Sequence, residues 1–384
     1  MSISIDGSSG INQSGVAGAS ILPTGTDAQR PASPGDGMMR YNTERGHIEY
    51  YDQSRDEWLP TSIISGSLRS SDRVTATGGT TADIMIRGTP YRVHAFTNVG
   101  NSTFNVTNGG NVDVLIVGGG GPGGPKQNDG NQDTGAGGGG AGGVVFKLDH
   151  AITSGSYTIT VGDGGLATQD AQGARPPNGD DSSAFGVTAK GGGHGNGSDE
   201  MFEPGDGGCG GGAGGRNDST PTNEGGVSTQ DAPNGWVALG SSGESTLIDA
   251  NVGGGGGGGA TQAGHRAELD INDSRGGNGG AGFDAGPIFG RSFGQNGYFA
   301  GGGGGGGYTR LSLEDLPQSH GGLGGGGRGV AAEEGVNLFR DDDKDAMPNT
   351  GGGGGGSGES NGASDPGSIA GSGGSGIVLI RYQL

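Results

Sequence analysis

A strand-like segment runs straight into glycine at residues 112–121, which read Val-Asp-Val-Leu-Ile-Val-Gly-Gly-Gly-Gly. Its first six residues are mostly β-branched or large and apolar, as in a buried strand. The four glycines that follow carry no side chain, so they cannot contribute to an ordinary hydrophobic core. The two halves of the segment therefore need two different kinds of packing, which meet after Val117.

Glycine accounts for 99 of the 384 residues and is concentrated after Val117. The longest runs are Gly253–Gly259, Gly301–Gly307 and Gly351–Gly356. A flexible linker would mix glycine with serine, whereas here the segments between the runs are richer in Asp, Asn, Phe, Tyr and Arg. A collagen helix is excluded because there is no Gly-X-Y period. This segregation favours packed glycine runs over disordered ones.

A glycine run can form an extended left-handed helix with three residues per turn, which rises ~3.1 Å per residue. Without Cβ atoms, neighbouring helices can approach until the N–H of one reaches a carbonyl of the next. Ordering the backbone costs about 1–2 kcal/mol per residue, and each hydrogen bond returns only about 0.5–1.5 kcal/mol. We therefore expect such helices only in a bundle that shares partners and is held at its ends by the flanking strands.

Short β-type segments bounded by Gly, Asn or Asp recur from residue 83 to the C-terminus. They are Ile84–Arg87, Tyr91–Thr97, Ser102–Thr107, Val112–Val117, Val144–Leu148, Tyr157–Val161, Ala184–Ala189, Gly235–Leu239 and Ile377–Tyr382. No window of a dozen residues shows a 3.6-residue apolar period, so we expect an all-β chain with almost no α-helix. Composition divides the chain into an N-terminal module (1–64), a Ser/Thr/Gly-rich linker (65–82) and a glycine-rich domain (83–384).

The N-terminal module contains the pattern of a β-hairpin. Met38–Asn42 and His47–Tyr51 alternate, and Gly46 can supply the positive φ of the four-residue turn between them. An isolated hairpin is at best marginally stable in water, so the module needs another chain or the rest of the molecule. We predict that it serves attachment or oligomerisation, and the candidate residues for this role are Met39, Tyr41, Tyr50 and Trp58.

Charge and composition exclude several functions. The formal net charge is −20, which argues against nucleic acid as a partner. Cys209 is the only cysteine, and the six histidines show no metal-ligand spacing. No stretch approaches 18 apolar residues, and the N-terminus lacks the basic and apolar regions of a secretory signal. We expect no cofactor, no metal site and no enzymatic activity.

Two motifs resemble known binding sites but lack a required part. Gly118–Gly123 follows a strand and fits G-x-G-x-x-G, yet the Pro- and Gly-rich residues that follow cannot start the helix that a dinucleotide needs. Asp129 begins like a calcium loop, but Thr134 and Gly140 replace the required Gly and Glu. The acidic stretch Asp341–Asp345 offers carboxylates to a cation, but we favour a solvated loop.

The order of motifs in the last three quarters of the chain resembles the glycine-rich domain common in phage tail fibres and bacterial surface proteins. The motifs lie at residues 112–121, 137–145, 156–165, 182–186 and 373–382. The resemblance covers about residues 90–384 and implies a β-sandwich-like base carrying a bundle of polyglycine II helices. Residues 30–58 separately resemble a short module that is frequent in phage structural proteins.

This resemblance implies a virion protein, either a phage tail fibre or a receptor-binding adhesin, exposed outside the cell. Its partners would be other tail proteins, through the N-terminus, and a glycan or outer-membrane protein of the host. We also expect a homotrimer, which would multiply weak contacts by avidity. The alternative is a bacterial cell-surface or matrix structural protein without a specific receptor.

An aromatic-rich segment between two glycine blocks offers candidate receptor contacts. In the adhesins with polyglycine bundles, loops between the helices touch the receptor, and aromatic, Arg and Asn side chains on loops suit such contacts. The candidate residues are Phe289, Arg291, Phe293, Asn296, Tyr298 and Tyr308. The alternative is that these side chains cap the bundle or pack between subunits.

Overall fold

The structure is a computed structural model of the chain. It describes residues 5–6, 10–11, 22–54, 56–60, 73–125, 134–168, 175–197, 202–215, 224–246, 252–269, 273–309, 319–333, 343–358 and 369–384. Regular structure in these ranges is almost entirely β, with one four-residue α-helix, α1 (Gly286–Phe289), and one 3-10 turn (Asp27–Gln29). The predicted all-β fold is confirmed. The chain divides into two compact units, residues 1–70 and 71–384, which are described separately.

The described residues of the small unit form six strands. They are β1 (Ile5–Asp6), β2 (Gly10–Ile11), β3 (Thr24–Gly25), β4 (Met39–Asn42), β5 (His47–Asp52) and β6 (Glu57–Pro60). β1 pairs with β2, and the other four form a sheet in the order β3-β4-β5-β6. The hairpin predicted from the sequence is β4 and β5, and Gly46 adopts a φ of +70° in its turn.

The interior of the small unit is polar. Glu49 is fully buried and accepts hydrogen bonds from Arg30 Nη2 at 2.7 Å and Asn42 Nδ2 at 3.0 Å, while Arg40 Nε lies 3.4 Å from its Oε1. Burial alone would raise the pKa of Glu49, but the hydrogen bonds from Arg30 and Asn42 outweigh it and lower the pKa. Tyr51 is the one hydrophobic side chain buried among the described residues of this unit.

Two sheets form the base of the large unit. Their strands are β7 (Thr75–Thr77), β8 (Thr80–Ile86), β9 (Thr89–Phe96), β10 (Gly100–Asn108), β11 (Gly110–Val117), β12 (Val144–Ile152), β13 (Gly155–Val161), β14 (Ser182–Ala184), β15 (Val187–Ala189), β16 (Val237–Leu239) and, after six shorter strands, β23 (Ile377–Gln383). One sheet has the order β15-β14-β13-β10-β7 and the other β16-β12-β11-β23-β9-β8. β7 and the start of β8 lie within residues 65–82, which composition predicted to be a linker.

β11 contains the strand-like residues Val112–Val117 that precede the first glycine run. It is buried on both faces, which explains its continuous apolar sequence. Val114 and Ile116 point into the core between the two sheets, together with side chains of β10, β13 and β23. Leu115 and Val117 point to the opposite face, where they pack against the segment that includes α1. β23 lies beside β11 in the middle of the six-stranded sheet and alternates in the same way.

Six short strands belong to the glycine-rich part. They are β17 (Glu268–Leu269), β18 (Asp273–Arg275), β19 (Phe283–Asp284), β20 (Tyr298–Phe299), β21 (Gly307–Thr309) and β22 (Ala331–Glu333). β19 pairs with β20, and the other four form a sheet in the order β17-β18-β21-β22. The remaining glycine runs belong to neither helix nor sheet.

The run at residues 135–143 donates its backbone N–H groups to three other runs in strict rotation, at 2.8–3.0 Å. Gly135, Gly138 and Ala141 donate to Val252, Gly255 and Gly258; Ala136, Gly139 and Gly142 to Ser357, Gly354 and Gly351; and Gly137, Gly140 and Gly143 to Asn196, Gly193 and Lys190. A repeat of every third residue is the signature of a helix with three residues per turn. The run is therefore a polyglycine II helix.

The same run accepts hydrogen bonds from three further runs. The donors are Gly118, Gly121 and Gly124; Gly303 and Gly306; and Cys209, Gly212 and Gly215. Six neighbours thus surround the run at 135–143, three as acceptors and three as donors. Its buried backbone groups are satisfied without a sheet, as buried polar groups must be.

Candidate functional site: the distal end of the glycine bundle

The bundle has two different ends. Residues 118 and 143 directly adjoin β11 and β12, so this end of the bundle rests on the β base. Residues 124 and 135, at the other end of the same two antiparallel runs, lie farthest from the base. We call this second end the distal end. The hydrogen-bond pairing assigns every other run an orientation relative to these two.

Nine connections between runs begin and end at the distal end. They comprise residues 126–133, 169–174, 198–201, 216–223, 247–251, 270–272, 310–318, 334–342 and 359–368, which lie outside the described residues. The described residues that flank them include Pro125, Thr134, Gly197, Gly215 and Val252. The described residues that flank all nine connections therefore lie at one end of the bundle.

The sequence of these nine connections is acidic. The nine connections contain fifteen acidic residues and four basic ones. They account for more than half of the chain's net charge of −20. Two stretches were considered as cation-binding loops in the sequence. Asp129, which begins the first, and Asp341 and Asp342, which begin the second, lie outside the described residues. Asp343 and Asp345 are described: Asp343 pairs with Arg328 at 3.6 Å, and Asp345 accepts from the backbone N–H of Ser372 at 2.7 Å.

Most of the candidate receptor residues lie at the base end instead. The segment 283–300 leaves the run at 276–282 and enters the run at 301–307 beside the six-stranded sheet. Phe289 is 1% exposed there and packs with Leu115, Val117 and Leu379 in the hydrophobic cluster on that face of the sheet, against which Phe293 packs as well. Tyr308 lies apart from these residues, in β21 at the distal end.

The polar candidates of this segment bind one another. Arg291 forms an ion pair with Asp284 at 3.1 Å, donates to the backbone carbonyl of Asn296 at 2.9 Å, and lies 5.7 Å from the ring centre of Tyr298. Burial would raise the pKa of Asp284, but the hydrogen bond from Arg291 outweighs it and lowers the pKa. Asn296 is exposed and adopts a φ of +53°. These contacts fold the segment onto itself, and its role in receptor binding stays a prediction.

A family model described as a glycine-rich domain matches residues 97–383, about three quarters of the chain. The chain belongs to the glycine-rich domain family. A search of curated proteins finds no match. The family match starts after β9 and ends in β23, so in this glycine-rich domain protein it covers the complete bundle and most of the β base.

In this glycine-rich domain protein, the four attachment candidates divide between two faces of the small unit. Met39, Tyr41 and Tyr50 share one face of the sheet, because Met39 pairs with Tyr50 and the side chains of a strand alternate. Trp58 pairs with Tyr51 on the other face, where its ring centre lies 5.7 Å from that of Tyr51. Their role in attachment is still a prediction, but the geometry separates three of them from the fourth.

Two buried titratable side chains of the glycine-rich domain, Cys209 and His194, have pKa values typical of structural residues. Burial raises the pKa of the Cys209 thiol to about 12, so it is not a nucleophile at neutral pH. Burial lowers the pKa of His194 to about 4, and its Nε2 accepts from Arg175 Nε at 2.6 Å. Among the described residues, no group of three or more His, Cys, Asp or Glu side chains could hold a metal ion.

The glycine motif at residues 118–123 has no free amides for a phosphate. The N–H groups of Gly118, Gly120 and Gly121 donate to the carbonyls of Gly143, Gly374 and Gly140 at 2.8–3.0 Å. A dinucleotide site uses such amides, together with a helix N-terminus, to bind the pyrophosphate. Here the same sequence forms one helix of the bundle.

Within the described ranges, no helix has both the length and the apolar character needed to cross a membrane. Sequence reasoning missed the distal end as a single surface. The signal that could have found it is the alternation of the runs: each run leads from one end of the bundle to the other, so successive connections fall at opposite ends.

Proposed function

We propose that this protein is a structural and binding component of a virus particle, a phage tail fibre or its receptor-binding adhesin. The small N-terminal unit would attach the chain to other tail proteins and hold it in a homotrimer. The distal end of the bundle would contact a receptor on the host surface, a glycan or an outer-membrane protein. The protein would act by binding alone, without catalysis.

The observation that carries this proposal is that the described ends of nine connections lie at one end of a hydrogen-bonded bundle. Fixed helices hold the ends of these connections at constant separations, which lowers the entropy cost of binding through several of them at once. In a homotrimer, three such ends would act together and raise the avidity further. The resemblance of the motif order and of residues 30–58 to phage proteins supports placing this surface on a virion.

The acidic composition of the nine connections restricts the receptor we propose. Carboxylates repel polyanions, so an unscreened phosphate-rich surface is a poor partner. A neutral glycan, or a protein surface with exposed Lys and Arg, fits better. If charge contributes to recognition, binding to cells weakens as salt is raised from about 0.05 to 0.5 M, because the Debye length falls from over 10 Å to a few ångströms.

The test is binding of the fluorescently labelled full-length chain to candidate host cells. The key variant replaces residues 126–133 with a Gly/Ser sequence of equal length, which removes side chains at the distal end. The matched control replaces the β12–β13 turn residues Thr153 and Ser154, at the base, with Gly and Asn. We expect the distal variant to bind less and the control to bind like the unmodified protein.

Two outcomes contradict the assignment of receptor binding to the distal end. In one, exchange of each of the nine connections in turn leaves binding intact. In the other, only variants of the base-end segment, such as Arg291→Ala or Asn296→Ala, abolish binding, which would move the contact surface to the base. A chain that ignores every host cell bound by its parent particle would favour the alternative, a cell-surface or matrix structural protein without a specific receptor.

A further inference from the structure

The turn that precedes β16 carries an asparagine followed by a glycine at its tip. Pro233, Asn234, Gly235 and Trp236 form this four-residue turn, which is closed by a hydrogen bond from the Trp236 N–H to the Pro233 carbonyl at 3.1 Å. Gly235 adopts a φ of +82°, the left-handed value that the third residue of a type II turn requires. Pro233, Asn234 and Gly235 are exposed, whereas Trp236 packs against the core between the two sheets. The turn is therefore anchored on one side and open to water at its tip.

In an Asn-Gly pair the backbone can react with the side chain. The amide nitrogen of the glycine can close a five-membered ring with the carboxamide carbon Cγ of the asparagine, and glycine has no Cβ to obstruct the closure. Closure needs a carboxamide that is free to rotate, an amide N–H that is not held by an acceptor, and access for water. The fold decides for each pair whether these three conditions hold.

The sequence contains seven Asn-Gly pairs, of which six lie within the described residues. The asparagines of these six are Asn108, Asn178, Asn196, Asn234, Asn278 and Asn296, while Asn361 lies outside the described residues. Asn234 meets all three conditions. Among the described residues, neither its carboxamide nor the N–H of Gly235 has a hydrogen-bond partner, and both residues are exposed.

The other five described pairs each fail at least one condition. Three carboxamides are fixed by hydrogen bonds to backbone groups of distant residues, at 2.7 Å for Asn108, 2.8 Å for Asn178 and 2.8 Å for Asn278. Asn196 is 1% exposed inside the bundle, so water has little access to it. The side chain of Asn296 is exposed, but the N–H of the glycine that follows it donates to a backbone carbonyl at 2.9 Å. The fold thus singles out Asn234 from pairs that share the same local sequence.

A lysine lies against the tip of this turn. The Nζ atom of Lys147 lies 3.4 Å from the position that a Cβ atom of Gly235 would occupy, and 5.8 Å from the ring centre of Trp236. Ring closure requires the glycine amide to lose its proton, and a nearby positive charge stabilises the anion that forms. Lys147 is therefore placed to promote the reaction at this pair.

We propose that Asn234 is a self-modification site, converted to a mixture of aspartate and isoaspartate with Lys147 as the promoting group. The deprotonated amide nitrogen of Gly235 attacks Cγ of Asn234, the Cγ–Nδ2 bond breaks, and the nitrogen takes up a proton and leaves as ammonia. A water molecule then opens the five-membered imide at either of its two carbonyl carbons. One opening gives an aspartate, and the other gives an isoaspartate, whose backbone runs through Cβ and Cγ. The reaction consumes only water, and the turn gains a carboxylate near the Lys147 ammonium.

The test is peptide mass spectrometry of the full-length chain after incubation at mildly alkaline pH, in buffer and in denaturant. Conversion replaces the NH2 of the carboxamide by OH and raises the peptide mass, and fragmentation distinguishes isoaspartate from aspartate. In denaturant we expect the described pairs to react at similar rates, since all are then exposed. In the folded chain we expect Asn234 to react at least about tenfold faster than each of the other five, because packed segments open rarely. A sample digested without incubation corrects for conversion during digestion.

Two matched substitutions of Lys147 test its part in the reaction. Lys147→Gln removes the charge and is expected to slow the conversion of Asn234 about fivefold at low salt, the effect of one charge at about 4 Å in water. Lys147→Arg keeps the charge and should react like the unmodified chain. If Lys147→Gln disturbs the fold, salt provides a second measurement: about 1 M salt screens the charge and must slow the unmodified chain in the same direction.

Two results overturn the proposal. The first is a folded chain in which Asn234 reacts no faster than Asn178 or Asn278, since the fold would then not select this pair. The second is an equal rate in the Gln and Arg variants of Lys147, together with a rate in the unmodified chain that salt leaves unchanged, since the lysine would then have no part in the reaction. The proposal is independent of the proposed function, because the chemistry needs neither a particle nor a host.

Discussion

An alanine methyl group at Gly139 would lie 2.2 Å from the carbonyl oxygen of Gly121 and 2.7 Å from that of Pro122. Both obstacles are backbone atoms of a neighbouring helix, so they cannot rotate out of the way as a side chain could. We predict that Gly139→Ala lowers the free energy of unfolding of the large unit by about 3 kcal/mol or more, the upper range of overpacking effects. Calorimetric or denaturant unfolding measures the change.

The matched control is Ala141→Gly, two residues further along the same helix. The Ala141 side chain is buried against the base, in the cluster that contains Val117 and Val144. Its loss removes one buried methyl group and should cost only about 1 kcal/mol. Equal effects of the two substitutions would contradict the packing described for this helix.

His194 makes the stability of the bundle depend on pH. Burial lowers its pKa to about 4, with Arg175 acting in the same direction, whereas an unfolded chain has a histidine pKa of about 6.5. The unfolded state therefore gains a proton first as pH falls. The stabilisation from the neutral imidazole is complete above pH 6.5 and is lost as pH falls towards 4, to an extent of about 3 kcal/mol.

The pH prediction is checked by unfolding the protein and the variant His194→Asn between pH 4 and 7.5. Carboxylates and other histidines contribute to the slope of both proteins, so the informative quantity is the difference between them. We expect the variant to lose less stability than the unmodified protein below pH 6.5. Parallel curves would show that His194 is accessible to protons in the folded state.

Gly46 and Phe289 show which features of single residues could be predicted from the sequence and which could not. Gly46 at the hairpin turn was predicted and is confirmed, because a four-residue turn needs a residue with positive φ. The sequence left open whether Phe289 contacts a receptor or caps the bundle, since an aromatic residue flanked by glycine and polar residues has the same sequence whether it faces solvent or a sheet. Only the long-range placement of residues 283–300 against β9, β11 and β23 decides between the two.

Among the elements, β23 shares the centre of the six-stranded sheet with β11. This C-terminal strand lies between β11 and β9 in the six-stranded sheet and contributes to the clusters on both faces. Arg381 adds an ion pair with Asp113 at 2.7 Å and lies 4.2 Å from the ring centre of Tyr91. The base therefore cannot be completed without β23.

We predict that deleting residues 377–384 abolishes cooperative unfolding of the large unit. The deletion would leave two strand edges unpaired in the middle of a sheet and expose the apolar residues of both clusters. Loss of the calorimetric transition and binding of a hydrophobic dye would show this. The control deletes Leu384 alone, and a truncated chain that melts like the control would contradict the role of β23.

The long strands of the base could be predicted from the sequence, and the short elements of the bundle could not. β9, β11, β13 and β23 combine β-branched residues with flanking Gly or Asn, and all four lie within a few residues of the predicted bounds. β17, β18, β21 and β22 are two or three residues long and have no apolar pattern, since they continue glycine runs at the distal end. Their pairing follows from the positions of the runs and not from local propensity.

For the whole molecule, the sequence predicted a bundle on a β base but not which connections share an end. Long runs such as Gly301–Gly307 are visible as blocks. Several other crossings of the bundle, such as residues 224–230 and 240–246, mix glycine with larger side chains. If one crossing is overlooked in the sequence, every later connection is assigned to the wrong end of the bundle. The sequence therefore could not decide at which end of the bundle the aromatic segment lies, and the structure places it at the base.

If the glycine runs form one hydrogen-bonded bundle, their backbone amides are protected from solvent, and hydrogen exchange with isotope-labelled glycine measures this protection most directly. The described contacts predict that the amides of the run at 135–143, and of the runs that surround it, exchange only through opening of the whole unit, with rates reduced by several powers of ten. The amide of Gly88, in the turn between β8 and β9, provides an internal comparison for an exposed position. Glycine amides at 137, 140 and 303 that exchange as fast as those of an unfolded chain would contradict the bundle.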